Sequence, residues 1–227
     1  MSKQIHICVP LYNRGEDISH LLNNLQDIHN KLDKNIVSFQ VHIGDFNSTD
    51  IDLHQLIKNF NFKVNIYSIE GNFNISIALQ KCFDNITQLD DLVFTLDADT
   101  VLETEETFYF IVKNVEKNKT FYCPIVSTED NIKNFNSTFN GKIYVPNTDH
   151  GGSGAIAIYN EDLKRTNEYK NSEFLGPRGE LWGWHDTYLT NKISDSGLKW
   201  IRRIETNIWL RNNNGKKDKT SKWYRTF

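Results

Sequence analysis

Two aspartates, one residue apart, follow an apolar run that reads Leu-Val-Phe-Thr-Leu over residues 92–96. A strand over this run would bring Asp97 and Asp99 to the edge of a sheet, and alternate side chains of an extended chain point the same way. Two converging carboxylates suit a hard divalent cation such as Mn²⁺ or Mg²⁺, which in such sites commonly also holds a diphosphate. The pair therefore predicts a metal–diphosphate site, although about one Asp-x-Asp is expected by chance at this aspartate content.

The chain contains a second pair with the same spacing, Asp50 and Asp52. This pair follows Asn-Ser-Thr at residues 47–49 and precedes an apolar helical pattern that starts at Leu53. Carboxylates are favoured at a helix start, because they accept hydrogen bonds from its free N–H groups and interact with its dipole. We therefore interpret this second pair as the start of a helix.

Length and composition limit the class of protein. A chain of 227 residues, 38% of them hydrophobic, can bury a full core, so a single domain over residues 1–227 is expected. A net charge of −3 argues against nucleic acid as a partner, and no apolar stretch reaches the roughly 20 residues that cross a bilayer. The amino terminus does not follow the pattern of a secretory signal and the three cysteines are widely spaced, which predicts a cytoplasmic protein with buried, reduced thiols.

Apolar patterns in the first half alternate between the periods of strands and helices. Strands are predicted over residues 5–9, 36–43, 62–69 and 92–96, and helices over residues 18–32, 53–60, 75–86 and 104–115. This alternation predicts an α/β fold, with a mostly parallel central sheet and helices on both faces. Ligands of such sheets bind beyond the carboxyl ends of the strands. In the less regular second half, strands are predicted over residues 121–126, 143–145, 155–159 and 201–210, and a helix over residues 184–193.

Polar residues with useful chemistry follow the first strand, at Pro10, Tyr12, Asn13 and Arg14. An aromatic ring, an amide and a guanidinium at a strand end could stack on a nucleobase and hold a phosphate. The alternative is an ordinary turn between strand and helix in which Asn13 is the N-cap, because Glu16 follows three residues later. The sequence leaves both interpretations open.

Two further polar positions follow the second and third predicted strands. Asp45 could accept a hydrogen bond from a nucleobase N–H or a ribose hydroxyl, or it could belong to ordinary turn chemistry. Asn74 lies at a predicted helix start, where free backbone N–H groups can meet an anionic ligand, or where its side chain can simply cap the helix. Both positions are predicted at the same edge of the sheet as Asp97 and Asp99.

A tryptophan-rich cluster lies at the start of the helix predicted over residues 184–193. It contains Trp182, Gly183, Trp184, His185 and Asp186. The flat faces of two tryptophans can stack on sugar rings, and Asp186 at the helix start could accept a proton from a hydroxyl. The alternative is a core loop in which Asp186 interacts with the helix dipole.

Taken together, these segments resemble the GT-A glycosyltransferases, in particular the inverting, family-2-like branch that includes galactosyltransferases and chondroitin polymerases. The resemblance rests on five segments in the family's order: residues 9–14, 44–50, 96–99, 152–157 and 181–186. It covers nearly the whole chain and implies a GT-A, Rossmann-like fold. Residues 1–103 would form the nucleotide-binding half and residues 104–227 the acceptor-binding half.

The resemblance also implies a reaction and roles for residues. A sugar would pass with inversion from a UDP-sugar to a hydroxyl of a glycan or glycolipid, aided by Mn²⁺ or Mg²⁺. Asp99 would bind the metal directly, Asp97 would contact the ribose or the metal, and Asp186 would be the catalytic base. The nucleotide-sugar contacts would come from Pro10, Tyr12, Asn13, Arg14, Asp45, Asn74, Asp97 and Ala98. The acceptor contacts would come from Gly154, Trp182, Gly183, Trp184 and His185.

The sequence departs from the family pattern at two places. His185 stands where the family usually has Glu, and no histidine follows it to supply the family's third metal ligand. Residues 211–213, Arg-Asn-Asn, lie near the corresponding point. An amide could coordinate the metal there, a cation could replace the contact, or the metal could be held weakly.

Two other functions use some of the same residues. A nucleotidyltransferase also places two acidic residues on a metal, but it needs a Gly-rich phosphate loop after the first strand, and here that segment contains a single glycine, Gly15. A non-catalytic carbohydrate-binding module could use Trp182 and Trp184 without the acidic pair. The basic tail with Trp209 and Trp223 allows peripheral contact with a membrane under any of these hypotheses.

Overall fold

The computed structural model describes residues 2–128, 155–170, 184–202 and 204–210. Strands and helices alternate in the first half as β1 (Lys3–Leu11), α1 (Gly15–Lys31), β2 (Val37–Asp45), α2 (Leu53–Leu56) with a 3₁₀ turn (Ile57–Asn59), β3 (Val64–Ser68), α3 (Ile75–Asp84), β4 (Leu92–Thr95), β5 (Thr100–Leu102) and α4 (Glu106–Asn114). The second half adds β6 (Thr120–Tyr122), β7 (Ile125–Thr128), β8 (Ile156–Tyr159), α5 (Asn160–Arg165), α6 (Trp184–Asp195), β9 (Lys199–Ile201) and β10 (Ile204–Leu210).

Seven strands form the main sheet in the order β3-β2-β1-β4-β8-β6-β9, and β5, β10 and β7 form a smaller sheet. β1 is parallel to both of its neighbours, β2 and β4. The chain first builds β2 and β3 on one side of β1 and then crosses to build β4 on the other side. The gap between β1 and β4 is therefore the topological switch point, where α/β sheets open a crevice for ligands.

The two halves of the chain share this sheet. β8, from the second half, runs antiparallel to β4 through four consecutive pairs, from Leu92–Tyr159 to Thr95–Ile156. The side chain of Thr95 adds a bond by accepting from the backbone N–H of Ile156 at 2.9 Å. The main sheet is therefore continuous from the first half of the chain into the second.

Hydrophobic cores lie on both faces of the main sheet. Alternate residues of β1 point to opposite faces, so that Ile7 packs with α1 and α4 while Cys8 packs with α3, α5 and α6. This arrangement confirms the predicted α/β fold with helices on both faces. Cys8, Cys82 and Cys123 are buried free thiols, as predicted. Within the described part of the chain, every helix is too short or too polar to span a bilayer.

Some boundaries differ from those predicted. β1 continues through Pro10, because its pairing with β4 already ends at Cys8 and the missing N–H of proline removes no bond on that side. The strand predicted over residues 121–126 is split into β6 and β7 around Pro124, which cannot donate to a ladder. Helix α5 was not predicted, and the strand predicted over residues 143–145 lies outside the described residues.

Gly44 allows α3 to lie directly against β2. A Cβ at this position would lie 2.5 Å from the carbonyl oxygen of Ala78 and 2.9 Å from its Cα. Because these obstacles are backbone atoms, rotation of a side chain cannot relieve the overlap. We expect Gly44→Ala to lower the free energy of unfolding, measured by urea denaturation, by about 2 kcal/mol or more.

Ser76→Ala is a matched control for this variant, on the same helix. The buried Ser76 hydroxyl has no hydrogen-bond partner among the described residues, so its removal is expected to change stability little. A Gly44→Ala chain as stable as Ser76→Ala would contradict the close approach of α3 to β2.

A line of mostly buried polar side chains crosses the sheet from β3 to the start of β4. The Tyr67 hydroxyl lies 2.8 Å from His42 Nδ1, and His42 Nε2 lies 2.9 Å from His6 Nδ1. His6 Nε2 lies 3.0 Å from the Asp91 carboxylate. One assignment satisfies each link: Tyr67 donates to His42, His42 to His6, and His6 to Asp91, with both imidazoles neutral.

This arrangement makes stability depend on pH. Burial, and after it the positive charges that His6 and Lys63 can carry, together lower the pKa of His42 from 6.5 to about 3. Between these pH values the unfolded chain binds a proton at His42 and the folded chain does not, so stability falls as pH falls through this window. We expect the free energy of unfolding to drop by about 2 kcal/mol from pH 6.5 to pH 5 through His42 alone, measured by urea denaturation.

His42→Gln tests this prediction, because its amide nitrogen can still donate to His6 but cannot titrate. We expect the variant to lose much of the pH dependence between pH 6.5 and pH 5. Ser38→Ala, on the same strand, removes a non-titrating group and should keep the wild-type slope. An unchanged slope in His42→Gln would show that another group causes the dependence.

Candidate active site

Hydrogen bonds join the loop after β1 (residues 12–14, the β1 loop) to the loop after β2 (residues 46–52, the β2 loop). The backbone N–H of Asn13 donates to Ser48 Oγ at 2.9 Å, and Asn13 Oδ1 accepts from the Thr49 N–H at 2.9 Å. The N–H of Gly15 donates to the Asp50 carboxylate at 2.8 Å. Asn13 has a φ of 48°, a left-handed conformation that asparagine tolerates better than most residues. The two loops are therefore held in a fixed relation.

These bonds correct one interpretation and confirm another. Asn13 is not the N-cap of α1: Arg14 occupies that position without a capping side-chain bond, and the Asn13 amide serves the β2 loop instead. The second acidic pair does start a helix, because the Asp52 side chain accepts from the N–H of Gln55 and caps α2. The Asp50 side chain caps α1 in the same way, by accepting from the N–H of Gly15.

Arg14 connects the β1 loop to the turn after β4 (residues 97–99, the β4 turn). Its Nη2 lies 3.1 Å from Asp99 Oδ2, and its Nη1 lies 3.4 Å from Asp17 Oδ2. The ion pair with Asp99 spans the switch point between β1 and β4. A cationic and an anionic group from the two diverging loops are thus in contact at the expected mouth of the crevice.

The geometry of the acidic pair differs from the prediction in one respect. β4 ends at Thr95, and Asp97 and Asp99 lie in a turn closed by a hydrogen bond from the Thr100 N–H to the Asp97 carbonyl, at 3.1 Å. The alternation of an extended strand therefore does not orient the two carboxylates. Both are partly exposed and Ala98 between them is buried, so the turn itself presents the acidic side chains at the sheet edge.

Tyr12 connects the β1 loop to the segment before α3. Its ring is 42% exposed and stacks on Phe73 with centroids 5.8 Å apart, and Phe73 meets Phe46 of the β2 loop edge-on at 5.5 Å. Asn74, next in sequence, caps α3 by accepting from the Ile77 N–H at 3.1 Å and is buried. Its capping role is thus observed, and its contact with a ligand stays a prediction.

Asp45 and Pro10 lie next to each other at the ends of the neighbouring strands β2 and β1. Asp45 is buried and accepts from the Ser48 hydroxyl at 2.6 Å, a hydrogen bond within the turn after β2. Pro10 is buried and pairs in register with Gly44. The predicted convergence of the loops after β1, β2 and β4 and of the segment before α3 is therefore observed, whereas the roles of these residues toward a ligand stay predictions.

The residues predicted on the acceptor side are described in part. Trp184 and Asp186 are the first and third residues of α6, and the His185 side chain between them is buried, 3% exposed. Gly154, Trp182 and Gly183 lie outside the described residues, as do residues 211–213. The predicted roles of this group stay predictions.

Tyr169 links α6 to α3, a contact that the sequence did not predict. Its hydroxyl donates to the His185 carbonyl at 3.1 Å, next to Asp186. Its ring lies between Phe83 and Tyr188, with centroids 6.3 and 6.2 Å away. No local pattern marks Tyr169, whereas Phe73 and Asp17 could have been found: Phe73 lies inside a segment already identified, and Asp17 lies one helical turn after Arg14.

A divalent cation fits the residues of the β4 turn. Carboxylate oxygens are the ligands that Mn²⁺ and Mg²⁺ take, and the guanidinium against Asp99 shows that this position already attracts positive charge. Among the described residues, no three His, Cys, Asp or Glu side chains form a cluster that could hold a metal. Asp97 and Asp99 would therefore share the cation with oxygens of a ligand and water.

Comparison with solved structures identifies the fold. A mannosyltransferase from Pyrobaculum calidifontis, solved with GDP-Man and Mn²⁺, matches 96% of this chain with a TM-score of 0.65 and 16% identity. Residues 1–349 of TarS from S. aureus, in complex with UDP, match 92% of the chain at 0.62 and 14% identity. Drosophila β1,4-galactosyltransferase 7, in complex with xylobiose, matches 91% at 0.55 and 12% identity.

The chain spans 59% of the mannosyltransferase, 60% of the TarS fragment and 69% of the galactosyltransferase. The fold is that of the GT-A glycosyltransferases. The sequence also matches the chondroitin N-acetylgalactosaminyltransferase family over residues 1–220, and the chain belongs to that family. The resemblance drawn from the motifs is confirmed, and the nucleotidyltransferase and the non-catalytic module are set aside.

Proposed function

We propose that this glycosyltransferase moves a sugar from a UDP-sugar to a hydroxyl of a glycan, with inversion and with the aid of Mn²⁺ or Mg²⁺. The observation that carries the proposal is the contact of Arg14 with Asp99 across the switch point. A diphosphate is bound by a cationic side chain and by a metal that carboxylates hold. Arg14 could supply the cationic side chain, and Asp99, in contact with it, could supply a carboxylate for the metal.

The donor would lie along the edge formed by the β1 loop, the β2 loop and the β4 turn. Tyr12, which is stacked on Phe73 by one face, would offer its other face to the uracil, and Asp45 would accept from the base or the ribose. Arg14 would hold the diphosphate, and Asp97 and Asp99 would hold the cation. The bound cation would offset the charge that develops on the departing diphosphate.

The acceptor would approach from the side of α6. Asp186 would take the proton of the attacking hydroxyl as that oxygen forms a bond to the anomeric carbon, on the face opposite the departing diphosphate. Tyr169 would hold the first turn of α6 in place through the His185 carbonyl. The predicted stacking of sugar on Trp182 and Trp184 belongs to the same proposal.

The family supports N-acetylgalactosamine as the transferred sugar, and TarS, solved with UDP-GlcNAc, supports a UDP-linked N-acetylhexosamine more generally. The P. calidifontis enzyme was solved with GDP-Man, so the nucleotide has to be tested as well. The experiment is a hydrolysis screen of UDP-GalNAc, UDP-GlcNAc, UDP-Gal and GDP-Man, with and without Mn²⁺. We expect UDP-GalNAc to be hydrolysed fastest and only with the metal. Turnover of GDP-Man alone, or turnover unaffected by chelation, would contradict the proposal.

A further inference from the structure

The ion pair between Arg14 and Asp99 opposes the binding of a metal at the same carboxylate. Asp99 Oδ2, on a carboxylate predicted to bind the metal, accepts from the Arg14 guanidinium at 3.1 Å. A cation bound to this oxygen would share it with a positive group. Like charges at such short distance repel strongly, and the repulsion is least screened where side chains are partly buried. The Asp99 side chain is 17% exposed, so water screens this repulsion only in part.

Arg14 has a second partner that does not depend on the metal. Its Nη1 lies 3.4 Å from Asp17, a carboxylate on the first turn of α1 that is 7% exposed. Because Asp17 is fixed by the helix, it can retain one side of the guanidinium while the other side leaves Asp99. The Arg14 side chain is 43% exposed, so it has room to turn toward the crevice.

We propose that Arg14 makes the binding of metal and the binding of diphosphate cooperative, an inference that rests on the proposed function. Without a nucleotide, the guanidinium neutralises Asp99 and weakens its hold on a cation. A diphosphate is a stronger, bidentate partner for arginine, and it draws the guanidinium away from Asp99. The carboxylate then becomes available to the metal, which in turn binds the same diphosphate.

Thermodynamic linkage makes this effect reciprocal and measurable. If UDP raises the affinity for Mn²⁺ by some factor, Mn²⁺ raises the affinity for UDP by the same factor. Arg14 contributes to that factor because it penalises the binding of metal alone. A site without Arg14 would bind Mn²⁺ more tightly in the absence of nucleotide and would gain less from its addition.

The test measures Mn²⁺ binding to the full chain, by the electron paramagnetic resonance signal of free Mn²⁺ and by calorimetry, with and without saturating UDP. For the wild type we expect UDP to tighten Mn²⁺ binding by about tenfold or more. For Arg14→Gln we expect Mn²⁺ alone to bind about fivefold more tightly than to the wild type, and the gain from UDP to shrink. Lys58→Gln removes an exposed positive charge on the 3₁₀ turn and should leave both affinities unchanged.

The outcomes separate this inference from the proposed function. If Arg14→Gln binds Mn²⁺ alone no more tightly than the wild type, or if it gains as much from UDP as the wild type does, the coupling by Arg14 is wrong while the proposed function stands. If UDP binds the wild type without changing its Mn²⁺ affinity, the metal does not hold the diphosphate, and the coupling and the proposed role of the metal are both wrong. If the wild type binds no UDP with or without Mn²⁺, the proposed function is wrong and the coupling falls with it. Thermal denaturation of each variant confirms that the fold is retained.

Discussion

Asp99→Asn is expected to lower the rate of sugar transfer by about 10³-fold or more, because it removes the carboxylate that would hold the metal against the diphosphate. Asparagine has nearly the same shape and the position is partly exposed, so the fold should persist. Loss of activity should be accompanied by loss of the Mn²⁺-dependent part of UDP binding. Transfer rates, calorimetry and thermal denaturation measure these three effects separately.

Asp52→Asn provides a matched control for this variant. Asp52 belongs to the second acidic pair with the same spacing, but its carboxylate caps α2 at the N–H of Gln55. Asparagine is as good an N-cap as aspartate, so activity, metal binding and stability should all remain near wild type. Equal losses in the two variants, or near-normal transfer by Asp99→Asn, would contradict the assignment of the metal to the β4 turn.

Asp186→Asn is expected to lower the turnover number for transfer by about 10³-fold, the contribution typical of a positioned general base. An amide cannot take the proton of the acceptor hydroxyl at neutral pH. The donor side should be unaffected, because Asp186 lies on α6 and not on the loops that would bind the nucleotide. The expected result is therefore a chain that binds UDP and Mn²⁺ with wild-type affinity but transfers sugar very slowly.

Asp195→Asn, at the other end of the same helix, tests whether the effect is specific to the position. Asp195 is exposed, so its replacement should leave transfer close to wild type. The decisive readout is a comparison of turnover with UDP affinity in each variant. Near-wild-type turnover in Asp186→Asn would show that another group activates the acceptor. A parallel loss of UDP binding would show that Asp186 serves the donor instead.

The elements that the sequence predicted best were those with strong apolar periodicity and an unambiguous end. The run at residues 92–96 and the stripes of α1 and α3 appear in the structure close to the predicted bounds. Cooperative packing against one sheet makes such patterns reliable, because a register error would expose the whole apolar face. The order of the polar segments was sufficient to identify the family.

The sequence did not predict the partners of those polar side chains that bond to a different loop. Asn13 had the local pattern of an N-cap, yet its amide bonds Thr49 of another loop. Asp50 and Asp52 looked alike, yet they cap two different helices. The bonds of Asn13 to Thr49 and of Asp50 to Gly15 join residues 36 and 35 positions apart, and local propensity carries no information about them. The same holds for the bond from Tyr169 to the His185 carbonyl. The Asp52 cap is local, three residues from Gln55, and the sequence predicted it.

The continuous pairing of β4 with β8 limits how the enzyme can move. Four consecutive strand pairs and the bond from Ile156 to Thr95 tie the half that carries the β4 turn to the half that carries α6. A hinge between two rigid bodies would have to break this ladder, and hinges form instead at loops or element ends that absorb a change in φ and ψ. Any conformational change that would bring the proposed donor and acceptor together is therefore expected in the segments beyond the strand ends, with the sheet as a fixed frame between them.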